Sequence, residues 1–210
     1  MDVSRTITEE GKWHRIYTVG SHPTVYESKI NTGEAFVSFE DLRREWDKWN
    51  DDERREFVKA FSYKRPPLSV GDEQITRLVV EKGDEVTALL IAPLAAYQSD
   101  KELVLQLVLK YLPMEIHPRV ELIKAAKELN DARVVPALLE LHSKLSVSIN
   151  VETTGSQAVR RSSMYELLYC CDALTHLTQD SRCRREIVSL SRNEDPKISA
   201  VATDLLKVPI

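Results

Sequence analysis

The chain has 210 residues, 42% apolar and 30% charged, with nine prolines and six glycines, a composition that belongs to folded globular proteins and excludes collagen-like and disordered classes. Its formal charge of −4 argues against a protein that coats nucleic acid, because phosphate binding needs a surplus of Lys and Arg on at least one face. Three cysteines, Cys170, Cys171 and Cys183, cannot build a disulfide framework and fit a reducing compartment.

The first residues are polar as far as Lys12, with no basic segment leading into an apolar run, so a cytoplasmic location is expected. Residues 13–19 and 24–30 then alternate β-branched or aromatic residues with polar ones, which predicts two strands. Gly20-Ser21-His22-Pro23 would turn between them, giving a small N-terminal β-hairpin within residues 1–38.

Helical periodicity begins at Phe39, with Ser38 as the expected N-cap and Phe39, Leu42, Trp46 and Trp49 on one stripe. A second helix follows from Asn50 or Asp51, burying Phe57, Val58 and Phe61 before Pro66-Pro67 ends it. These helices form an expected cap over residues 39–83. The charges alternating between Glu40 and Glu56 read as a solvated face. Trp46 and Trp49 have core spacing, yet Trp is also a frequent interface anchor, so both are candidate partner contacts.

Further helices are predicted over residues 72–81, 85–97, 101–112, 118–129, 132–145, 162–178, 181–191 and 196–207. The most apolar of these stretches is about a dozen residues long and contains Pro93, short of the roughly 20 needed to cross a bilayer. No membrane span is expected. Alternate helices begin near residues 84, 117, 162 and 196, a repeat with one long interval. The excess falls on residues 146–161, rich in Ser, Thr, Asn and Gly, which read as an inserted loop. The turns also repeat, since Asp100, Asp131 and Asp180 each stand just before the second helix of a pair, where a carboxylate can accept from orphan N–H groups.

His117-Pro118-Arg119-Val120, followed by Ala125-Ala126, Leu129 and Asp131-Ala132-Arg133-Val134-Val135-Pro136, resembles the paired helices of HEAT-like repeats of the phycobilisome-lyase type. Asp195-Pro196-Lys197-Ile198 resembles the start of another. The resemblance covers roughly residues 84–208, within an expected repeat domain of residues 84–210, and implies a mainly α protein, a short α-solenoid of HEAT-like helical hairpins. Its physical logic is that a short hairpin leaves apolar residues on both sides, so neighbours must stack to bury them.

The spacing of residues supplies no catalytic or metal-binding signature. His14, His22, His117, His142 and His176 are scattered, with no His-Glu pair such as HEAT-like iron hydroxylases carry, and neither Cys170-Cys171 nor Cys183 has zinc-finger spacing. The thiols read as core residues. Gly71 and Gly83 are not followed by the Lys and Ser or Thr of a phosphate loop. The expectation is therefore a non-enzymatic protein with no catalytic residues, cofactor or metal. It would bind another protein as an adaptor or inhibitor, one version being a toxin-neutralising immunity protein. Arg160 and Arg161 close the expected loop, and Arg182 and Arg185 on the next helix, with Arg184, could extend them into a basic patch. The competing readings are a nucleic-acid binder like the HEAT-like DNA glycosylases, which needs a basic groove with aromatic residues, and a bilin-lyase-like enzyme.

Overall fold

The computed structural model describes residues 2–7, 13–18, 39–62, 70–115, 118–151 and 157–207. The protein is mainly helical. Two short strands, β1 (Asp2–Ile7) and β2 (Trp13–Thr18), pair antiparallel with Val3 opposite Tyr17. The first predicted strand is thus β2, but its partner is upstream. Residues 24–30, expected to pair with it, lie outside the described residues, as do the turn at 20–23, Ser38 and Pro66-Pro67.

The chain divides into two compact units, Met1–Leu107 and Val108–Ile210, and the predicted repeat region beginning at residue 84 contributes to both. In the first unit the helices are α1 (Phe39–Trp46), α2 (Asp51–Ser62), α3 (Val70–Lys82), α4 (Glu85–Ala95) and the larger part of α5 (Lys101–Tyr111). Trp46, Phe57, Val58, Ile75, Leu78, Ala88 and Ile91 are all buried there. Asn50 caps α2 through a reciprocal pair of bonds, its Oδ1 accepting from Glu53 N–H at 3.0 Å while Glu53 Oε2 accepts from Asn50 N–H at 2.9 Å. Asp84 does the same for α4 with Thr87, and its second carboxylate oxygen accepts from the Arg55 guanidinium at 2.8 Å. Gly83 makes the α3–α4 junction possible, since a Cβ there would stand 2.6 Å from the Val79 carbonyl oxygen.

In the second unit the end of α5 is followed by α6 (Val120–Leu129), a 3₁₀ turn over Ala132–Val134, α7 (Val135–Val151), α8 (Gln157–Thr178), α9 (Ser181–Leu190) and α10 (Pro196–Lys207). Helix α8 is the hub. It packs against α6, α7, α9 and α10, and its buried face carries Met164, Leu167, Leu168, Cys171 and Leu174.

One expectation is overturned here. Residues 146–161 are not a long structureless insertion, because α7 continues to Val151 and α8 starts at Gln157, leaving only residues 152–156 outside the described residues. The polar composition is a poor guide here, since Ser costs a helix only roughly a few tenths of a kcal/mol, and packing of the apolar residues elsewhere on the helix outweighs that. With that correction alternate helices start at more even intervals than expected: α4, α6, α8 and α10 begin at Glu85, Val120, Gln157 and Pro196.

The repeated aspartates act as expected. Asp131 and Asp180 each accept a hydrogen bond from the backbone N–H two residues on, both at 2.8 Å, and each also holds the side chain of that residue, Arg133 or Arg182. Asp100 Oδ1 accepts from Leu103 N–H at 3.0 Å. Directly before two of these caps stand left-handed residues, Asn130 at φ 49° and Gln179 at φ 56°. Asn tolerates that region, whereas Gln bears the full Cβ penalty. Gln179→Gly is therefore expected to raise stability by about 0.5–1 kcal/mol in chemical denaturation, and a loss of stability would show that the Gln179 side chain makes a compensating contact.

Candidate functional site

Two places in the second unit combine chemistry with access. The first is a cleft of about 570 Å³ at the N-terminal end of α8, lined by Gln157, Arg160, Arg161, Met164 and by residues 193–197 of the α9–α10 turn and first turn of α10. Arg161 donates from Nε to Asp195 at 2.6 Å, and that contact is the main reason the Asp195 carboxyl lies below the usual range. Asp195 is thereby held in place while its Oδ1 accepts from Lys197 N–H at 2.9 Å, capping α10. Arg160 is exposed, and among the described residues neither it nor Lys197 has an ion-pair partner.

The expected basic patch is not assembled. Arg160 and Arg161 lie at the start of α8, a 22-residue helix about 33 Å long. Arg182, Arg184 and Arg185 lie at the start of α9, beyond the far end of α8, and Arg182 is bound to Asp180 at 2.8 Å. Trp46 and Trp49 belong to the first unit. Trp46 is 1% exposed and so is a core residue rather than a contact offered to a partner, while Trp49 is half-buried with its ring centroid 5.0 Å from that of Phe57.

The second place is a cluster that local spacing did not reveal. His142 on α7, Cys171 on α8 and Cys183 on α9 bring their Nε2 or Nδ1 and two Sγ atoms within 4.8 Å of one another. Glu186, one turn on from Cys183, places Oε2 2.7 Å from His142 Nε2 and 3.5 Å from Cys171 Sγ. Their hydrogen bond lifts the His142 imidazole above its ordinary value and holds the Glu186 carboxyl below its own. The hydrogen bond with Cys171, helped by the nearby imidazole, brings the Cys183 thiol down to about 7, while that same hydrogen bond and burial push Cys171 up. Cys170 faces elsewhere, its Sγ donating to the Leu138 carbonyl at 3.2 Å, and burial raises its thiol.

The second unit also holds a buried ion pair. Glu166 on α8 accepts from the Arg119 backbone N–H at 3.0 Å and from its Nε at 3.1 Å, with both side chains almost wholly removed from solvent. Arg119 Nη1 also donates to the Met114 carbonyl at 2.8 Å. This group closes the junction between α5 and α6 onto α8 and is structural. No described helix is long and apolar enough to cross a membrane. Set against protein-family models, curated proteins and solved structures, the chain matches none.

Proposed function

We propose that this is a short helical-repeat protein of HEAT-like hairpins that binds a partner protein by taking an acidic segment of it into the cleft at the α8–α10 end. The observation that carries the reading is the pair of cations, Arg160 and Lys197, that have no ion-pair partner among the described residues and line a cleft in which Arg161 is already held by Asp195. A guanidinium with no partner is the group that recognises a carboxylate through two parallel hydrogen bonds. The near-even starts of α4, α6, α8 and α10 and the repeated Asp-x-Arg turns support the stacked-hairpin reading. An adaptor and a toxin-neutralising inhibitor would use such a surface alike. The nucleic-acid reading gains nothing from the dispersal of the arginines to opposite ends of α8.

The test compares capture of partner proteins by the wild type, by Arg160→Glu/Lys197→Glu and by Arg184→Glu/Arg185→Glu as a control of equal net charge. Arg161 is left intact because its loss would free Asp195. A partner whose Kd weakens about tenfold or more in the cleft variant, equivalent to ~1.4 kcal/mol, and is unchanged in the control supports the proposal. Binding that is indifferent to the cleft charges overturns it.

A further inference from the structure

We propose that His142, Cys171, Cys183 and Glu186 form a binding site for a divalent cation of the zinc class. The side chains come from three helices, α7, α8 and α9: one imidazole nitrogen and two sulfurs lie within 4.8 Å of one another, and the Glu186 carboxylate stands beside two of them, 2.7 Å from His142 Nε2 and 3.5 Å from Cys171 Sγ, as the fourth donor. Tetrahedral zinc takes Zn–S bonds near 2.3 Å and Zn–N or Zn–O bonds near 2.1 Å, so its ligand atoms stand roughly 3.4–3.8 Å apart. The three atoms within 4.8 Å of one another reach that shape by small side-chain rotations, and the His142–Glu186 contact at 2.7 Å needs to open by roughly 0.7 Å.

The donor set selects the metal. Two thiolates with an imidazole and a carboxylate are too soft for Mg²⁺ or Ca²⁺ and too mixed for a copper(I) thiolate site, which leaves Zn²⁺ as the favoured occupant. Burial fits as well. Cys171 and Cys183 form a closed floor, while the His142 and Glu186 side chains keep 25% and 32% exposure and provide an entry path. A core with no metal to bind would fill this volume more cheaply with aliphatic side chains than with an imidazole and a carboxylate that each need a polar partner. A bound ion would tie α7, α8 and α9 together at one point.

The test uses the full chain, reduced and stripped of metal, titrated with Co²⁺ and then Zn²⁺. One equivalent of cobalt is expected to bind with the intense visible bands of tetrahedral coordination and a thiolate charge-transfer band in the near ultraviolet, both erased by Zn²⁺. Cys171→Ser and Cys183→Ser should lose the charge-transfer intensity and weaken zinc binding by more than the roughly 10–100-fold that outer-shell changes cost. Cys170→Ser should leave both unchanged, and Glu186→Gln should weaken binding while keeping the thiolate band. Where a serine variant fails to fold, wild-type chain decides: Zn²⁺ should protect Cys171 and Cys183, mapped by mass spectrometry, from alkylation. The proposal is overturned by a weak octahedral cobalt spectrum, by uptake that survives both serine substitutions, by alkylation indifferent to Zn²⁺, or by a Cys171–Cys183 disulfide persisting in reducing buffer.

Discussion

Glu166→Ala is expected to lower the unfolding free energy by about 3–5 kcal/mol, among the largest losses open to a single substitution in this chain. The carboxylate is 0% exposed and is the acceptor for both the Arg119 guanidinium and the Arg119 backbone N–H at the start of α6. That helix has no side-chain cap from its own N-cap residue, so Glu166, 47 positions along the chain, does the capping instead. Removing it strands a buried cation and an orphan donor together. The pair itself is a different quantity from the cost of breaking it, since each charge also lost its water on burial. Arg119→Met/Glu166→Leu should therefore recover part of the loss, keeping a deficit of about 1–3 kcal/mol for the unpaired N–H. Chemical denaturation of the two single variants and the double variant measures this. A Glu166→Ala loss below about 1 kcal/mol would mean that water or another side chain reaches Arg119.

The helices were legible because apolar residues recur at spacings of three and four, and the ends were legible because Asp131 and Asp180 announce caps that the structure contains. What composition misjudged was the segment around residues 146–161. Ser146, Ser148 and Asn150 favour turns in isolation, but Leu138, Leu141 and Leu145 anchor α7 strongly enough that the helix runs on past them. The thiol–imidazole cluster was illegible for another reason. Rules of ligand spacing detect pairs on one helix or one loop, whereas here each of three helices supplies part of the set. The available hint was Cys183 and Glu186, three apart on one face of α9, opposite a helix bearing Cys171 across the Gln179-Asp180 turn. Turning that hint into a site requires the register between α8 and α9, which only packing fixes. The Arg119–Glu166 pair was hidden in the same way, because its partners are remote in sequence and each sits in a segment that also reads as ordinary solvated helix.

Trp46→Ala is expected to cost about 3–5 kcal/mol, and it decides between the two roles that spacing allows for this residue. A tryptophan held for a partner would be exposed and its removal would leave stability almost unchanged. Trp46 instead packs edge-on to Phe57 with ring centroids 6.5 Å apart, lies 6.2 Å from Trp49, and has the Arg54 guanidinium 5.8 Å above its ring. Its indole N–H meets no acceptor among the described residues, so the ring is retained for its volume rather than for its polar tip. Trp46→Phe tests that distinction: it opens a smaller cavity and also removes a buried unpaired donor worth about 1–3 kcal/mol, so its net cost should be less than half that of alanine. Trp49→Ala, at a half-buried position, should cost less than Trp46→Ala. If the order were reversed, or if Trp46→Ala abolished partner binding at unchanged stability, the first unit would have to present Trp46 outward, and the contact surface would lie there rather than at the α8–α10 cleft.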